Sequence, residues 1–243
     1  MRSRMLRSAG KFGHNRLNAA GYILVGGASS RFGSDKAFAE IGGKTMAGRM
    51  VDVLRGVMVH GVWLIGNAVK YRDLGAECIP DLWPGEGPLG GILTALRHTA
   101  SLPRFETSDY NLIISCDLPF LNLKWLEELL FRAFESDAQV VVPQSAVGLE
   151  PLCAVWRTDA LSAVQREFAR GLRKVTQAMK QLPMEVLDES LWKRFDSDNR
   201  LFSNMNTPAD YEEARRVLED KERRAEPWTP KFDQGAKKFT KRD

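Results

Sequence analysis

Residues 22–36 read Y-I-L-V-G-G-A-S-S-R-F-G-S-D-K, and the class of fold turns on how that stretch is understood. Tyr22, Ile23, Leu24 and Val25 form an apolar run with the composition of a buried strand. Residues 25–36 then gather three glycines, three serines, Arg31 and Lys36 into one loop ahead of the next apolar helix. Such a loop suits a main-chain cradle for phosphate. Glycine lets N–H groups approach an anion with no Cβ in the way, and Arg31 and Lys36 add cationic donors. Two commoner phosphate loops do not fit. The P-loop needs G-K-[ST], but Gly33 is followed by Ser34. The dinucleotide fingerprint G-x-G-x-x-G fails because Gly26 and Gly27 are adjacent and Ala28 follows. A purely structural strand–turn reading of the loop stays open at this level.

Outward from the loop, strands and helices alternate. Apolar residues at Met46, Met50, Val53, Leu54 and Val57 give a helical spacing over 44–58. Short strands are expected at 62–65, ending in Gly66-Asn67, and at 77–79, running out at Pro80-Asp81. A helix from Pro88 to about 100 starts with proline at its favoured first position. The clearest buried strand is 111–116, followed by Asp117-Leu118-Pro119; a helix over 124–134 and a strand over 139–142 come next. This order predicts an α/β fold with a mostly parallel sheet and crossover helices. Further on, 151–156 reads as a strand, 159–169 and 172–182 as helices, 184–187 as an edge strand, and 204–208 as a loop capping a helix over 209–218.

The chain of 243 residues allows one large α/β domain or two small ones, and its 44% hydrophobic content excludes global disorder. No apolar run approaches the roughly 18 residues needed to span a bilayer. The net charge of +4 raises nucleic acid as a partner, so the position of the charge decides. Residues 1–19 hold five Lys/Arg and no acid, and 219–243 hold eight Lys/Arg against six acids, which leaves −3 on 20–218. The basicity belongs to the tails, and neither a nucleic-acid face on the body nor a membrane association is indicated. We expect 1–19 to be a disordered basic extension, since it lacks the apolar core of a secretory signal; a transit peptide is the minor alternative. Residues 20–218 are expected to form a single domain, and 219–243 a disordered charged tail. Cys78, Cys116 and Cys153 are odd in number and widely spaced, which argues against a disulfide framework or zinc site and fits a reducing cytoplasm.

Ligands of open α/β sheets bind at the carboxyl ends of the strands, and here those ends carry the Gly-rich loop, Asn67, Asp81 and Asp117. Carboxylates, Lys36, Arg31 and backbone donors converging on one edge suit a nucleoside triphosphate with Mg²⁺. Directly after the most apolar strand, Asp117 reads either as a metal-holding carboxylate or as a turn residue, and spacing does not separate the two. At Asp81 the turn is favoured. Gly87–Ile92 reads G-P-L-G-G-I, either an anion-binding helix start or a helix packed closely on the sheet. Trp83 beside it reads as a ring platform or as packing, and His14, His60 and His98 as surface or packing residues.

G-G-A-S-S-R-F-G-S-D-K-A, G-P-L-G-G-I, C-D-L-P (116–119), E-P-L-C-A-V-W (150–156) and N-M-N-T-P-A-D (204–210) occur in this order. Together they resemble the molybdenum cofactor guanylyltransferases, the MobA-type nucleotidyltransferases, over about 20–218. The resemblance implies a three-layer, Rossmann-like α/β fold and transfer of GMP from GTP to molybdopterin-bound molybdenum, with pyrophosphate released and Mg²⁺ required. It implies a nucleotide-binding half over about 20–120 and a pterin-side half over about 121–218. Leu24, Val25, Gly26 and Gly27 match the family's nucleotide loop, with Val25 in place of the usual alanine. Lys36 matches its phosphate-binding lysine, Asn67 and Asp81 its nucleotide contacts, Gly87 and Leu89 its second glycine turn, and Asp117 its Mg²⁺ ligand. Asn204, Asn206 and Thr207 match N-x-N-T-P on the pterin side. Arg31, Lys36 and Asp117 are the expected catalytic set. Molybdenum-insertion proteins and recipient molybdoenzymes are the implied protein partners. A cytidylyltransferase for the same cofactor, a sugar-1-phosphate nucleotidyltransferase and a non-catalytic cofactor carrier are the alternatives.

Overall fold

The computed structural model of the chain describes residues 19–26, 33, 35–57, 61–103 and 108–224. Its strands are β1 (Ala19–Leu24), β2 (Glu40–Ile41), β3 (Lys44–Thr45), β4 (Val62–Gly66), β5 (Glu77–Pro80), β6 (Tyr110–Ser115), β7 (Val140–Ser145), β8 (Gly148–Leu149), β9 (Cys153–Arg157) and β10 (Met184–Leu187). The helices are α1 (Met46–Val57), α2 (Pro88–Ser101), α3 (Leu123–Glu135), α4 (Leu161–Ala169), α5 (Val175–Met179), α6 (Glu189–Trp192) and α7 (Pro208–Arg224). The main sheet runs β10-β7-β9-β6-β1-β4-β5, with β8 paired to β7. Along that path only β9 is antiparallel to its neighbours.

Placement of the two first crossovers follows from handedness. The chain passes from β1 through α1 to β4 on one side, then from β5 through α2 to β6 on the other side of β1. Right-handed crossovers in opposite directions put their helices on opposite faces of the sheet. Alternation within the strands agrees. Ala19 and Ile23 of β1 pack with α1 and α3, while Ala20 and Tyr22 pack with α2 and α4. The result is three layers around a sheet buried on both faces, which is why its central strands read as continuous apolar runs. Between β1 and β6, where the winding reverses, a crevice opens at the carboxyl ends of the strands.

Several boundaries differ from the expectations. Ala19, assigned to the N-terminal extension, is the fully buried first residue of β1. The helix expected to stop at 218 continues as α7 to Arg224, so the charged tail does not begin at 219. Arg224 pairs with Asp220 at 2.8 Å and Glu222 with Arg49 at 2.9 Å, contacts that carry a helix without apolar periodicity. The β2–β3 ribbon, β8 and α6 were not anticipated, because two- to four-residue elements hold too few residues to show a period. The ribbon seats α7 through a small cluster of Ile41, Met46, Met205 and Ala214. The expected tails, 1–18 and 225–243, lie outside the described residues.

Candidate active site

The parallel strands β5, β4, β1 and β6 are neighbours, so their carboxyl ends open on one edge. Beyond the strands the ladder continues for a residue or two. Val25 N–H donates to Ile65 O at 3.0 Å, Cys116 N–H to Leu24 O at 3.3 Å, and Asp81 N–H to Gly66 O at 2.9 Å. The start of the Gly-rich loop, Asn67, Asp81 and Asp117 are thereby brought together. Gly66 is glycine for a steric reason: a Cβ there would lie 2.7 Å from Val25 O. Gly26 has φ 99°, a backbone that side chains rarely adopt.

Lys36 is the junction of the site. Its Nζ donates to Asp117 Oδ2 at 3.2 Å and to Asn206 Oδ1 at 2.7 Å, joining residues 81 and 170 positions away. The Lys36 and Asp117 side chains are only 14% and 19% exposed. Ser115 Oγ donates to the other carboxylate oxygen, Oδ1, at 2.6 Å, and Met205 N–H donates to Asp117 O at 2.9 Å. Both oxygens of the Asp117 carboxylate are therefore engaged by side-chain donors, one by Lys36 and one by Ser115.

Asp35 holds Lys36 in place. Its Oδ1 accepts from Ala37 N–H at 3.0 Å and so caps the short 3-10 turn Lys36–Phe38. Its Oδ2 accepts from Tyr71 Oη at 2.6 Å and pairs with Lys70. Burial alone would raise the Asp35 carboxyl, but bonds from Lys70, Tyr71 and the Ala37 N–H outweigh it and hold it below the usual carboxylate range. Asn67 accepts from Lys70 N–H at 3.0 Å through Oδ1, and Tyr71 N–H donates to Asn67 O. Tyr71 thus ties the turn after β4 to the lysine turn.

On the far side of Lys36 the N-x-N-T-P motif leads into α7. Thr207 Oγ1 accepts from Asp210 N–H at 3.2 Å, and Asp210 Oδ2 accepts from Thr207 N–H at 2.7 Å, the reciprocal capping box that starts α7, with Pro208 at its first position. Asp210 also accepts from Asn206 N–H at 2.9 Å. Met205 is buried while Asn204 and Asn206 are exposed, so both amides face one way. They line a cleft of ≈ 530 Å³ shared with Ser145, Glu150, Trp192 and Phe202. A second cavity of ≈ 210 Å³, between Arg49, Phe120 and Arg200, holds none of the expected site residues.

Other expectations divide. Asp81 is a turn residue: its Oδ1 accepts from Trp83 N–H and Thr94 Oγ1, each at 3.0 Å. Gly87, at φ 78°, precedes α2, whose N-terminus has no side-chain cap; Pro88 has no N–H and Gly90 N–H donates to Gly87 O at 3.1 Å. Leu89 is wholly buried, so only its backbone could meet a ligand. The Val25 side chain is also buried, which leaves its backbone to the loop. Trp83 packs against Phe168 at 5.3 Å under the Arg97 guanidinium, a packing residue and not a free platform. His98 accepts or donates in a 2.8 Å bond with Tyr22 Oη, and burial lowers its pKa, so it is a packing residue. Burial pushes Cys78 up to about 11, and Cys116 and Cys153 are raised as well, so all three thiols are inert. Arg31, Gly27, His14 and His60 lie outside the described residues. Ser115, Asp35, Tyr71 and Glu150 were not singled out in the sequence, although D-K and E-P-L place two of them beside matched residues.

The lysine–carboxylate pair at the carboxyl edge of this sheet, beside an open cleft, points on this fold to a nucleotidyltransferase. The chain belongs to the MobA-like NTP transferase domain family, whose model matches residues 21–183. It is 30% identical over 199 residues to the molybdenum cofactor guanylyltransferase of Desulfosudis oleivorans, covering 82% of this chain and 95% of that protein. It is 31% identical over 195 residues to the probable molybdenum cofactor guanylyltransferase of Chloroflexus aggregans, covering 79% and 90%. Molybdopterin-guanine dinucleotide biosynthesis protein A from Archaeoglobus fulgidus superposes with TM-score 0.70 at 24% identity, covering 83% and 99%. A 2-C-methyl-D-erythritol 4-phosphate cytidylyltransferase from Thermus thermophilus superposes at 0.57 with 14% identity, covering 82% and 98%. Both structures share the Rossmann-like nucleotidyltransferase fold with this chain.

Nucleotidyltransferases of this family generally depend on a divalent metal. Among the described residues no three His, Cys, Asp or Glu gather to hold one. A lone carboxylate, Asp117, would hold such an ion at this edge. That fits a hard cation that arrives with a nucleotide. No helix among the described residues is long and apolar enough to cross a membrane.

Proposed function

We propose that the protein transfers GMP from GTP to molybdopterin-bound molybdenum cofactor, forming the guanine dinucleotide and pyrophosphate with Mg²⁺. The observation that carries the reading is Lys36, whose Nζ lies between Asp117 on the nucleotide side and Asn206 on the acceptor side. Attack of a terminal phosphate on the α-phosphorus of GTP needs no protein nucleophile. It needs two mutually repelling anions aligned and the charge on the leaving pyrophosphate neutralised. In this reading Lys36 covers that charge and Arg31 is the second cation. Gly26, Gly27 and the first turn of α2 after Gly87 supply backbone donors, and Asn67 and Asp81 border the nucleoside. Mg²⁺ held by Asp117 would supply Lewis-acid stabilisation of the phosphate oxygens. Asn204, Asn206 and Thr207 border the acceptor. The buried free thiols suit a reducing cytoplasm as the place of the reaction.

Mass spectrometry of the product formed from molybdenum cofactor, GTP and Mg²⁺ tests the proposal. A guanine dinucleotide is expected, and none from a competent cofactor source overturns it. Thermal shift with GTP, CTP and UTP in Mg²⁺ decides the base, since the true substrate raises the melting temperature. A larger shift with CTP would favour the cytidylyltransferase.

A further inference from the structure

Glu150 is a carboxylate the reaction above does not use. It is 9% exposed, and its backbone is pinned between strands by Glu150 N–H to Pro143 O at 2.9 Å and Cys153 N–H to Glu150 O at 3.0 Å. Ser145 Oγ donates to its Oε1 at 2.5 Å. Among the described residues, Oε2 has no hydrogen-bond donor and no cation pairs with the group. Lys193, the cation lining the same cleft, is engaged with Glu189 at 3.2 Å. The acids Glu189, Asp196 and Asp210 line the cleft as well, so none of the nearby charge compensates Glu150. Burial raises its pKa against the opposing bond from Ser145, so the ionised group costs the empty fold stability. Oε2 is not one of the buried unpartnered atoms, so it opens onto the cleft, where a ligand's donor can reach it.

The cleft wall describes that donor. Phe202 lies edge-on to Trp192 at 4.9 Å, and Trp192 is anchored by Nε1–H to Gln144 O at 2.9 Å, giving a rigid aromatic side. Asn204 and Asn206 supply amides on the side joined to Lys36. An aromatic wall, amides and a carboxylate with lone pairs on both oxygens fit a flat heterocycle with two adjacent N–H donors.

We infer that Glu150 is a specificity-determining residue of the acceptor subsite, accepting the paired N–H donors of a 2-amino-4-oxopyrimidine edge on the pterin ring. This rests on the proposed function above. Guanine carries the same edge, but Glu150 shares its cleft with Asn204 and Asn206, which the proposed function gives to the acceptor, so the pterin is the ligand meant.

Glu150→Gln places a donor where an acceptor stood, without changing size. Steady-state kinetics should show the KM for the molybdenum cofactor raised roughly 10- to 100-fold, the range set by hydrogen bonds to charged groups, with the KM for GTP unchanged. A change under twofold, or a rise in the GTP KM instead, overturns the inference. Independently of the variant's folding, inhibition of the wild type by free pterin is compared with lumazine, which lacks the 2-amino group. Pterin should inhibit about tenfold better, from the loss of one such bond; equal inhibition overturns the inference. If the wild type forms no dinucleotide yet binds pterin over lumazine in a titration, the proposed reaction fails while the assignment of Glu150 stands.

Discussion

Replacing Lys36 by methionine separates what the site does for stability from what it does for catalysis. In the free protein the ammonium bridges Asp117 at 3.2 Å and Asn206 at 2.7 Å, with both charged side chains less than one-fifth exposed. Breaking a fully buried pair costs about 3–5 kcal/mol, and an exposed one about 0–1 kcal/mol. Here Asp117 keeps the Ser115 hydroxyl at 2.6 Å and its side chain is already 19% exposed, so water reaches the carboxylate once the lysine is gone. The expected cost is therefore about 1–2 kcal/mol. That lowers the melting temperature by about 2–8 °C for a domain of this size. Turnover should fall far more. Deleting one donor from developing charge costs about 100- to 1,000-fold in kcat, or about 2.7–4 kcal/mol. The assay is pyrophosphate release at saturating GTP and acceptor, at a temperature where circular dichroism shows the variant folded. A second variant, Asp117→Asn combined with Lys36→Met, should be less destabilised than the sum of the singles, because neither charge is then left unpaired. Activity within twofold of the parent, or a loss that only follows the unfolded fraction, would refute the role given to Lys36.

Three further outcomes follow from the same geometry. Asp117→Ala should abolish metal-dependent pyrophosphate release while the far-ultraviolet spectrum is retained; wild-type turnover would remove Asp117 from the metal site. Asp35→Asn should be less stable than the parent at pH 7 by about 1–2 kcal/mol, because its carboxylate accepts bonds from Tyr71, Lys70 and the Ala37 N–H. A depressed carboxyl pKa stabilises above its unfolded value of 3.8 and the benefit is lost as pH falls through the lower folded value, so the urea midpoints of the two proteins should converge below pH 3.8. Gly66→Ala should cost about 1–3 kcal/mol in a thermal melt, since its Cβ would press on Val25 O at 2.7 Å, and an unchanged midpoint would mean the two strand ends can part.

Much of the architecture was legible along the chain. The apolar runs of β1, β4 and β6, the 3.6-residue spacing of α1 and α3, and Pro88 opening α2 report neighbours two to four residues apart, which is the range local patterns cover. A loop over 204–208 capping the next helix was also legible, while the Thr207–Asp210 box that does the capping is seen only in the structure. Charge position, too, needed no coordinates to place the basicity in the tails. Elements without apolar periodicity escaped. The extra turns of α7 are held by ion pairs to Arg49 and Asp220, and the β2–β3 ribbon exists because α7 covers it.

The chemistry divides along the same line. Sequence alone named Lys36, Asp117 and Asn206 and put Asp117 at a strand's carboxyl end, because motif and strand order are linear properties. It left the metal and turn readings of Asp117 level. It could not show that one ammonium spans residues 36, 117 and 206, that Asp81 turns its Oδ1 to Thr94, or that Glu150 lines the Asn206 cleft with Oε2 unpartnered. Those facts arise from the pairing of β1 with β6 and the return of the chain into α7. Contacts between positions 170 residues apart depend on the path of the whole chain, which no local propensity encodes.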